Sequence, residues 1–226
     1  MHKLFIHLRA TYFRLIEGVR VIFYYYPNLR FLWSDLLLAS RYLLSNPHQV
    51  SRDYLTQKGE LDVYKYGETP LTTLDQIARE CSVLSKDVVY ELGCGSGRTA
   101  FWLHSFVRCS VVAVDFLPLF IQRGRWVNKW SHHGEIEFRN ENFLETDLKE
   151  ATVIYLYGLC LEDKIIEQLI RRFEMLKAGT KIITVSYPLE DFSRPGFFKV
   201  TKQFLATFPW GKAIVYLNVR CYCPCP

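Results

Sequence analysis

The sequence predicts an α/β fold, with a seven-stranded, mostly parallel sheet that ends in an antiparallel hairpin and is preceded by a helical extension. Three observations predict it. From residue 87 onward, short apolar runs alternate with segments of helical periodicity, the pattern of βαβ units. Two further strand-like runs, 197–206 and 211–219, are joined only by the turn Pro209-Trp210-Gly211, which suits a closing hairpin. Half of the 226 residues are hydrophobic and 15% are aromatic, enough to cover both faces of such a sheet.

Residues 3–25 and 29–45 read as two helices, broken at Pro27, with Asn28 as N-cap of the second and Ser45-Asn46-Pro47 at its end. A short polar helix follows over 49–57, and Lys58-Gly59 marks a boundary. The chain divides into a basic, aromatic extension (1–57), a domain (58–220) and a Cys/Pro tail (221–226). Leu71, Leu74, Ile77 and Ala78 recur at helical spacing, with Thr69 as cap and Pro70 at the first position. Strands are then expected at 87–92, 110–114, 135–140, 151–157 and 180–186. Helices are expected at 97–106, 117–130 and 161–176.

The net charge of +5 is unevenly placed: residues 1–48 hold Lys3, Arg9, Arg14, Arg20, Arg30 and Arg41 against only Glu17 and Asp35. Tyr12, Phe13, Ile16, Val19, Ile22 and Phe23 recur there at helical spacing. Two readings stay open for this segment, a cap packed on the domain and a peripheral contact with an anionic membrane surface. The charge is too sparse for a dedicated nucleic-acid binder, and no uncharged apolar run reaches the ~18 residues of a spanning helix. Cys81, Cys94, Cys109 and Cys160 lie in expected elements or the glycine loop without a pairing pattern, which points to a reducing, cytoplasmic setting. A mitochondrial matrix address is the lesser alternative, because the Arg-rich start is poor in Ser and carries Glu17. His132-His133 reads as a surface turn, and Arg123, Arg125, Arg171 and Arg172 as solvated helix faces. Cys221, Cys223 and Cys225 read as a frayed end, and no spacing suggests a metal site.

The chemistry is carried by Val88-Val89-Tyr90-Glu91-Leu92-Gly93-Cys94-Gly95-Ser96-Gly97. A buried strand runs into an acid and then a turn with glycine at alternate positions, so the backbone approaches a ligand closely at a helix N-terminus. A dinucleotide fingerprint wants its third glycine five positions after the first; here Gly97 lies only four after Gly93, and position 98 is Arg. Glu91 would repel a pyrophosphate but pairs well with the α-amino cation of S-adenosylmethionine. Asp115 ends the second strand, where an acid accepts from ribose hydroxyls, and Phe116 can lie against adenine.

The string resembles the first motif of class I S-adenosylmethionine methyltransferases, E/D-x-G-x-G-x-G, and implies a Rossmann-like sheet with that co-substrate and no metal. The resemblance implies cofactor contacts at Thr69, Glu91, Gly93, Cys94, Gly95, Gly97, Asp115, Phe116, Asn142 and Phe143. Asn142 stands where the family commonly has Asp, and its carbonyl can still accept from an adenine amine. Tyr66-Gly67-Glu68-Thr69 resembles a cofactor-closing loop of the non-SET lysine methyltransferases of histone. Tyr157-Gly158 and Ser186-Tyr187-Pro188-Leu189 depart from those enzymes and are more similar to the lysine methyltransferases of the adenine nucleotide translocase and ATP synthase c subunit. The acceptor implied is a lysine of a protein, membrane proteins included, with Tyr66, Tyr157 and Tyr187 as walls of its channel. A small-molecule or lipid methyltransferase, or a binding module without turnover, are the alternatives. Tyr155-Leu156-Tyr157-Gly158 lacks the Asn/Asp-Pro-Pro-aromatic motif of base and amide methylation, which argues against those acceptors.

Overall fold

The computed structural model describes residues 2–60, 66–158 and 161–221, with the backbone alone for 2–9. Cys160, Cys223 and Cys225 lie outside the described residues.

Hydrophobic alternation builds the sheet. Strands β1 (Val88–Leu92), β2 (Ser110–Asp115), β3 (Ile136–Asn140), β4 (Val153–Leu156) and β5 (Lys181–Val185) pair in parallel, and β6 (Phe198–Phe208) and β7 (Gly211–Arg220) form the predicted hairpin. The order is β3-β2-β1-β4-β5-β7-β6, with β7 antiparallel to β5. Val89, Val111, Ala113, Val153, Tyr155 and Ile183 line one face, while Tyr90, Leu92, Val112, Ile154, Leu156 and Ile182 line the other. Both faces are buried, so these strands read as continuous apolar runs. Helices α4 (Leu71–Glu80), α5 (Arg98–Trp102) and α6 (Pro118–Ser131) contribute to the first layer, and α7 (Asp163–Phe173) covers the second with Ile166, Leu169, Ile170 and Phe173.

The N-terminal helices pack against this framework. Helix α1 (His2–Tyr24) buries Val21, with Tyr25 just beyond it, and α2 (Leu29–Arg41) buries Phe31 and Leu38 in the same core as Leu71 and Trp102. Asn28 caps α2 as expected, accepting from the Phe31 N–H, but the helix stops at Arg41 rather than continuing to residue 45. Helix α3 (Pro47–Gln57) begins on a reciprocal capping box between Asn46 and Gln49.

Four local expectations are corrected. Thr69 does not cap α4; Glu17 of α1 does so from outside, accepting from the Thr72 N–H at 2.9 Å and the Thr72 hydroxyl at 2.6 Å. The helix expected over 97–106 changes at Leu103 into a π-helical turn, Leu103–Val107, which carries Phe106 into edge contact with Tyr25 and Phe31. His133 is no surface turn residue: it is buried, its Nε2 lies 2.7 Å from Ser34 Oγ, and burial lowers its pKa to about 4. Arg123 stacks on Tyr42 and donates to Ser45, Arg125 donates to the Phe138 carbonyl, and Arg172 holds the carbonyls of Leu144 and Thr146. Arg123 and Arg172 are half-buried and tie loops down, whereas Arg125 stays exposed, as expected, while it reaches the β3 backbone.

Candidate functional site

The chain runs outward from β1 through β2 to β3, then returns to β4 on the other side of β1. In open α/β sheets that reversal opens a crevice at the carboxyl ends of the strands. Leu92 pairs with Val114 on one side and with Leu156 on the other, so the glycine turn, Asp115 and Tyr157 emerge side by side.

Gly93, Gly95 and Gly97 have φ of +83°, +53° and +83°. Two of them are also sterically committed. A Cβ on Gly95 would lie 2.7 Å from the Tyr66 ring, and one on Gly97 would lie 2.7 Å from Phe138, so neither position accepts a side chain. The turn is anchored to β2 through the Gly93 and Cys94 N–H groups, both donating to the Val114 carbonyl at 2.9 Å.

Glu91 sits beneath this turn. Its carboxyl is buried, and Oε2 makes no hydrogen bond among the described residues. Burial pushes its pKa well above the ordinary carboxylate value, with Asp115 and Glu68 adding to the effect and the Thr99 hydroxyl opposing it. A buried acid with an unpartnered oxygen is costly unless a cation completes it. The donor set therefore fits a ligand that brings a positive charge to this end of β1.

Asp115 is buried as well, and burial raises its pKa to about 6 against the opposing N–H groups of Leu117, Gly95 and Phe116. One oxygen accepts from the Gly95 N–H at 2.8 Å and the other from the Leu117 N–H at 2.9 Å. Asp115 thus clamps the glycine turn to the start of α6, and each oxygen keeps a lone pair for a ligand hydroxyl. Phe116 is 45% exposed at the same rim and meets Tyr54 edge-on. Asn142 is exposed, and its side-chain carbonyl accepts from the Leu144 N–H, closing a local turn beside half-buried Phe143.

The loop before α4 closes on the turn from above. Tyr66 lies against Gly95, packs on His48 and Phe120, and donates its hydroxyl to Glu68, which also accepts from Ser96 Oγ at 2.7 Å. Buried Thr69 is hydrogen-bonded to the Tyr155 hydroxyl. With the loop in this position the cleft among Gly67, Thr69, Glu91, Gly93, Ser96 and Tyr155 is narrow, about 20 Å³.

A second cavity of about 690 Å³ shares Gly67, Glu68, Thr69, Arg98 and Tyr157 with that cleft and opens between α1 and the Pro209-Trp210 turn. Tyr157 is the hinge between the two spaces. Its ring stacks on Phe208, which stacks on Trp210, and the Trp210 indole N–H donates to the Tyr157 hydroxyl at 2.9 Å. The result is an aromatic wall at the mouth of the cleft.

Of the three tyrosines read as channel walls, Tyr66 and Tyr157 line this cavity together. Tyr187 does not: it packs edge-on against Phe192 in the layer under α7, with burial raising its pKa and its hydroxyl beside Gly158. Several site residues were not picked out from sequence. Glu68, Ser96 and Tyr155 hold the loop, Trp210 completes the wall, and Arg98 is fixed by Asp35 of α2. Arg98 donates to both Asp35 oxygens, at 2.7 and 2.6 Å. Tyr155 was legible in principle, since it shares the parity of Glu91 across β1 and β4.

Residues 89–179 match the model of the methyltransferase domain family. A histone-lysine N-methyltransferase specific for H3 lysine 79 from Dictyostelium discoideum is 26% identical over 208 residues, covering 82% of this chain but only 10% of that protein. A protein-lysine N-methyltransferase from Saccharolobus islandicus is 25% identical over 137 residues, 60% of this chain and 84% of that one. Among solved structures, an RNA methyltransferase from Salinibacter ruber in complex with S-adenosyl-L-homocysteine superposes with a TM-score of 0.57 at 23% identity, covering 71% of this chain and 97% of its own.

Proposed function

We propose that this chain, whose residues 89–179 match the methyltransferase domain family, is an S-adenosylmethionine-dependent methyltransferase of class I that methylates a lysine amine of a protein substrate. The observation that carries the donor half of this reading is the buried Glu91 carboxyl with its unpartnered oxygen. S-adenosylmethionine supplies a methyl group on a positively charged sulfur, with a neutral thioether as leaving group. Glu91 would pair with its amino cation, the spare lone pairs of Asp115 with its ribose hydroxyls, and Phe116 with its adenine.

The acceptor half is supported by the aromatic wall and by the two lysine-methylating relatives, each about a quarter identical. Methyl transfer asks the protein mainly to align a nucleophile and exclude water. A lysine must also arrive without its proton, and an apolar aromatic lining favours the neutral amine by withholding solvation from the ammonium. Tyr157, backed by Phe208 and Trp210, provides that lining between the cavity and the cleft. Tyr66 shields the site from above. After transfer, the tyrosine face stabilises the alkylammonium product by cation–π contact.

The test is transfer of labelled methyl from S-adenosylmethionine to proteins of a cell extract, followed by acid hydrolysis and amino-acid analysis. Label in methyl-lysine is expected. Label confined to solvent-extractable lipid, small molecules or RNA would overturn the lysine reading. Tyr157→Ala is expected to lower kcat by about 10- to 100-fold, the scale of a lost positioning contact, with little effect on S-adenosylhomocysteine affinity.

A further inference from the structure

The 690 Å³ cavity beside the cleft carries charge of both signs, and the two signs stand at different places along it. Glu68 lines the cleft and the cavity alike, so its carboxylate stands where the two spaces meet. Arg14 of α1 lines the cavity alone. Arg98 is shared by both spaces, but two of its nitrogens donate to Asp35, which neutralises it locally. Glu17 engages Thr72 with both oxygens at the N-terminus of α4, where the helix dipole offsets a carboxylate. His48 of α3 lines the same cavity. Partial desolvation lowers its pKa, with Glu68 opposing and Arg14 adding to the effect, so His48 brings no cation at neutral pH.

Arg14 is therefore the uncommitted charge of this cavity. Its side chain is exposed, and among the described residues it makes no hydrogen bond, ion pair or ring contact. One turn on, Gly18 lines the same wall, and a Cβ built there would meet nothing within 4 Å. Helix α1 thus leaves the space beside the guanidinium open. A guanidinium is suited to forked hydrogen bonding of a carboxylate, and a concave wall strengthens the pairing by limiting the competing water.

We propose that Arg14 reads a carboxylate of the acceptor, so that the preferred substrate is a lysine with Asp or Glu close by in its sequence. The inference rests on the lysine reading given above and adds to it a preference among lysines. An incoming ammonium meets Glu68 at the mouth of the cleft, while the acid of the same segment stays on the outer wall at Arg14. An extended chain advances about 3.3 Å per residue, so a cavity of this size places the acid within about three residues of the lysine. A dianionic phosphate fits less well, because Glu17 and Glu68 stand on the same walls.

Transfer of labelled methyl from S-adenosylmethionine to amidated peptide pools tests the proposal. Each pool carries one central lysine, neutral residues elsewhere, and Glu, Gln or Arg at one fixed position up to three residues away. The wild-type chain is expected to favour Glu over Gln by at least tenfold in kcat/KM at one or more positions, the scale of a charge-assisted hydrogen bond. Arg14→Glu should turn that preference toward Arg, and Arg14→Lys should retain part of it. Affinity for S-adenosylhomocysteine should stay unchanged in both, since Arg14 is not on the cleft wall. Should Arg14→Glu lose its melting transition, Arg14→Gln carries the test and should label the Glu and Gln pools equally. A wild-type chain that treats Glu and Gln pools alike overturns the proposal and leaves the lysine reading standing. A folded Arg14→Glu variant with the wild-type preference also overturns it, as does one that loses S-adenosylhomocysteine affinity, which would assign Arg14 to the donor. Where no peptide is labelled but extract proteins acquire methyl-lysine, Arg14→Glu should lose at least tenfold of that labelling, and undiminished labelling overturns the proposal. Label in neither peptides nor protein lysine removes the lysine reading and this inference together.

Discussion

Glu91 shows what a single side chain reveals when its surroundings are wrong for it. Its raised pKa means that the folded protein holds a proton which the unfolded chain has already released above the ordinary carboxylate range. Stability of the ligand-free protein should therefore fall as pH rises from about 4.5 toward the elevated folded value. Glu91→Gln removes this titration, so the variant should match or exceed wild-type stability at neutral pH while being no more stable near pH 4; urea titrations across that range check it. A wild-type curve that climbs in parallel with the variant's would contradict the assignment. Asp115 makes a different prediction. Because both its oxygens hold backbone N–H groups, Asp115→Ala should cost about 1–3 kcal/mol of folding stability without any ligand, measured by urea unfolding. An unchanged midpoint would leave it a ligand contact only. The acid-glycine spacing made Glu91 and the glycine turn readable in sequence. The backbone clamp of Asp115 was not readable, because it depends on where the Gly95 N–H points after the chain has folded.

Among the elements, the strands were the most legible, since two-sided burial writes them as uninterrupted apolar runs, and every expected strand is present within two residues of its predicted ends. Termini set by partners distant in sequence were not legible. Helix α4 takes its cap from Glu17, 55 positions from Thr72 in the chain, and α2 is pinned by Asp35 to Arg98 across 63 positions. No local pattern announces either. Asp35→Leu should cost about 3 kcal/mol or more, because it strands a largely buried guanidinium, whereas Asp35→Leu combined with Arg98→Met should recover much of that loss. A double-mutant cycle in urea reads both, and strictly additive losses would show that the pair is not coupled. The loop at Tyr66 belongs to the same scale. Since its ring rests on Gly95 and the cleft behind it is narrow, donor entry requires the loop to lift. Tyr66→Ala is then expected to speed S-adenosylhomocysteine association and dissociation together, as followed by stopped-flow fluorescence.

For the whole molecule, the N-terminal helices and the sheet share one core, in which Val21, Tyr25, Phe31 and Leu38 are buried with Leu71 and Trp102. Deleting residues 1–45 should lower the melting temperature by roughly 10 °C or more, or leave the remainder aggregated, where a free-standing domain would melt unchanged. The same helices bring Tyr26, Arg14 and Glu17 to the cavity that adjoins the glycine turn, so the extension shapes the site as well as covering the core. All of this is organised around one electrostatic requirement at the end of β1, and isothermal calorimetry addresses it directly. Wild-type protein titrated with S-adenosylhomocysteine should bind, more tightly as pH rises through the Glu91 titration, and Glu91→Gln should lose at least tenfold in affinity together with that pH dependence. Equal affinity in the variant, or no binding by the wild type, would contradict the account.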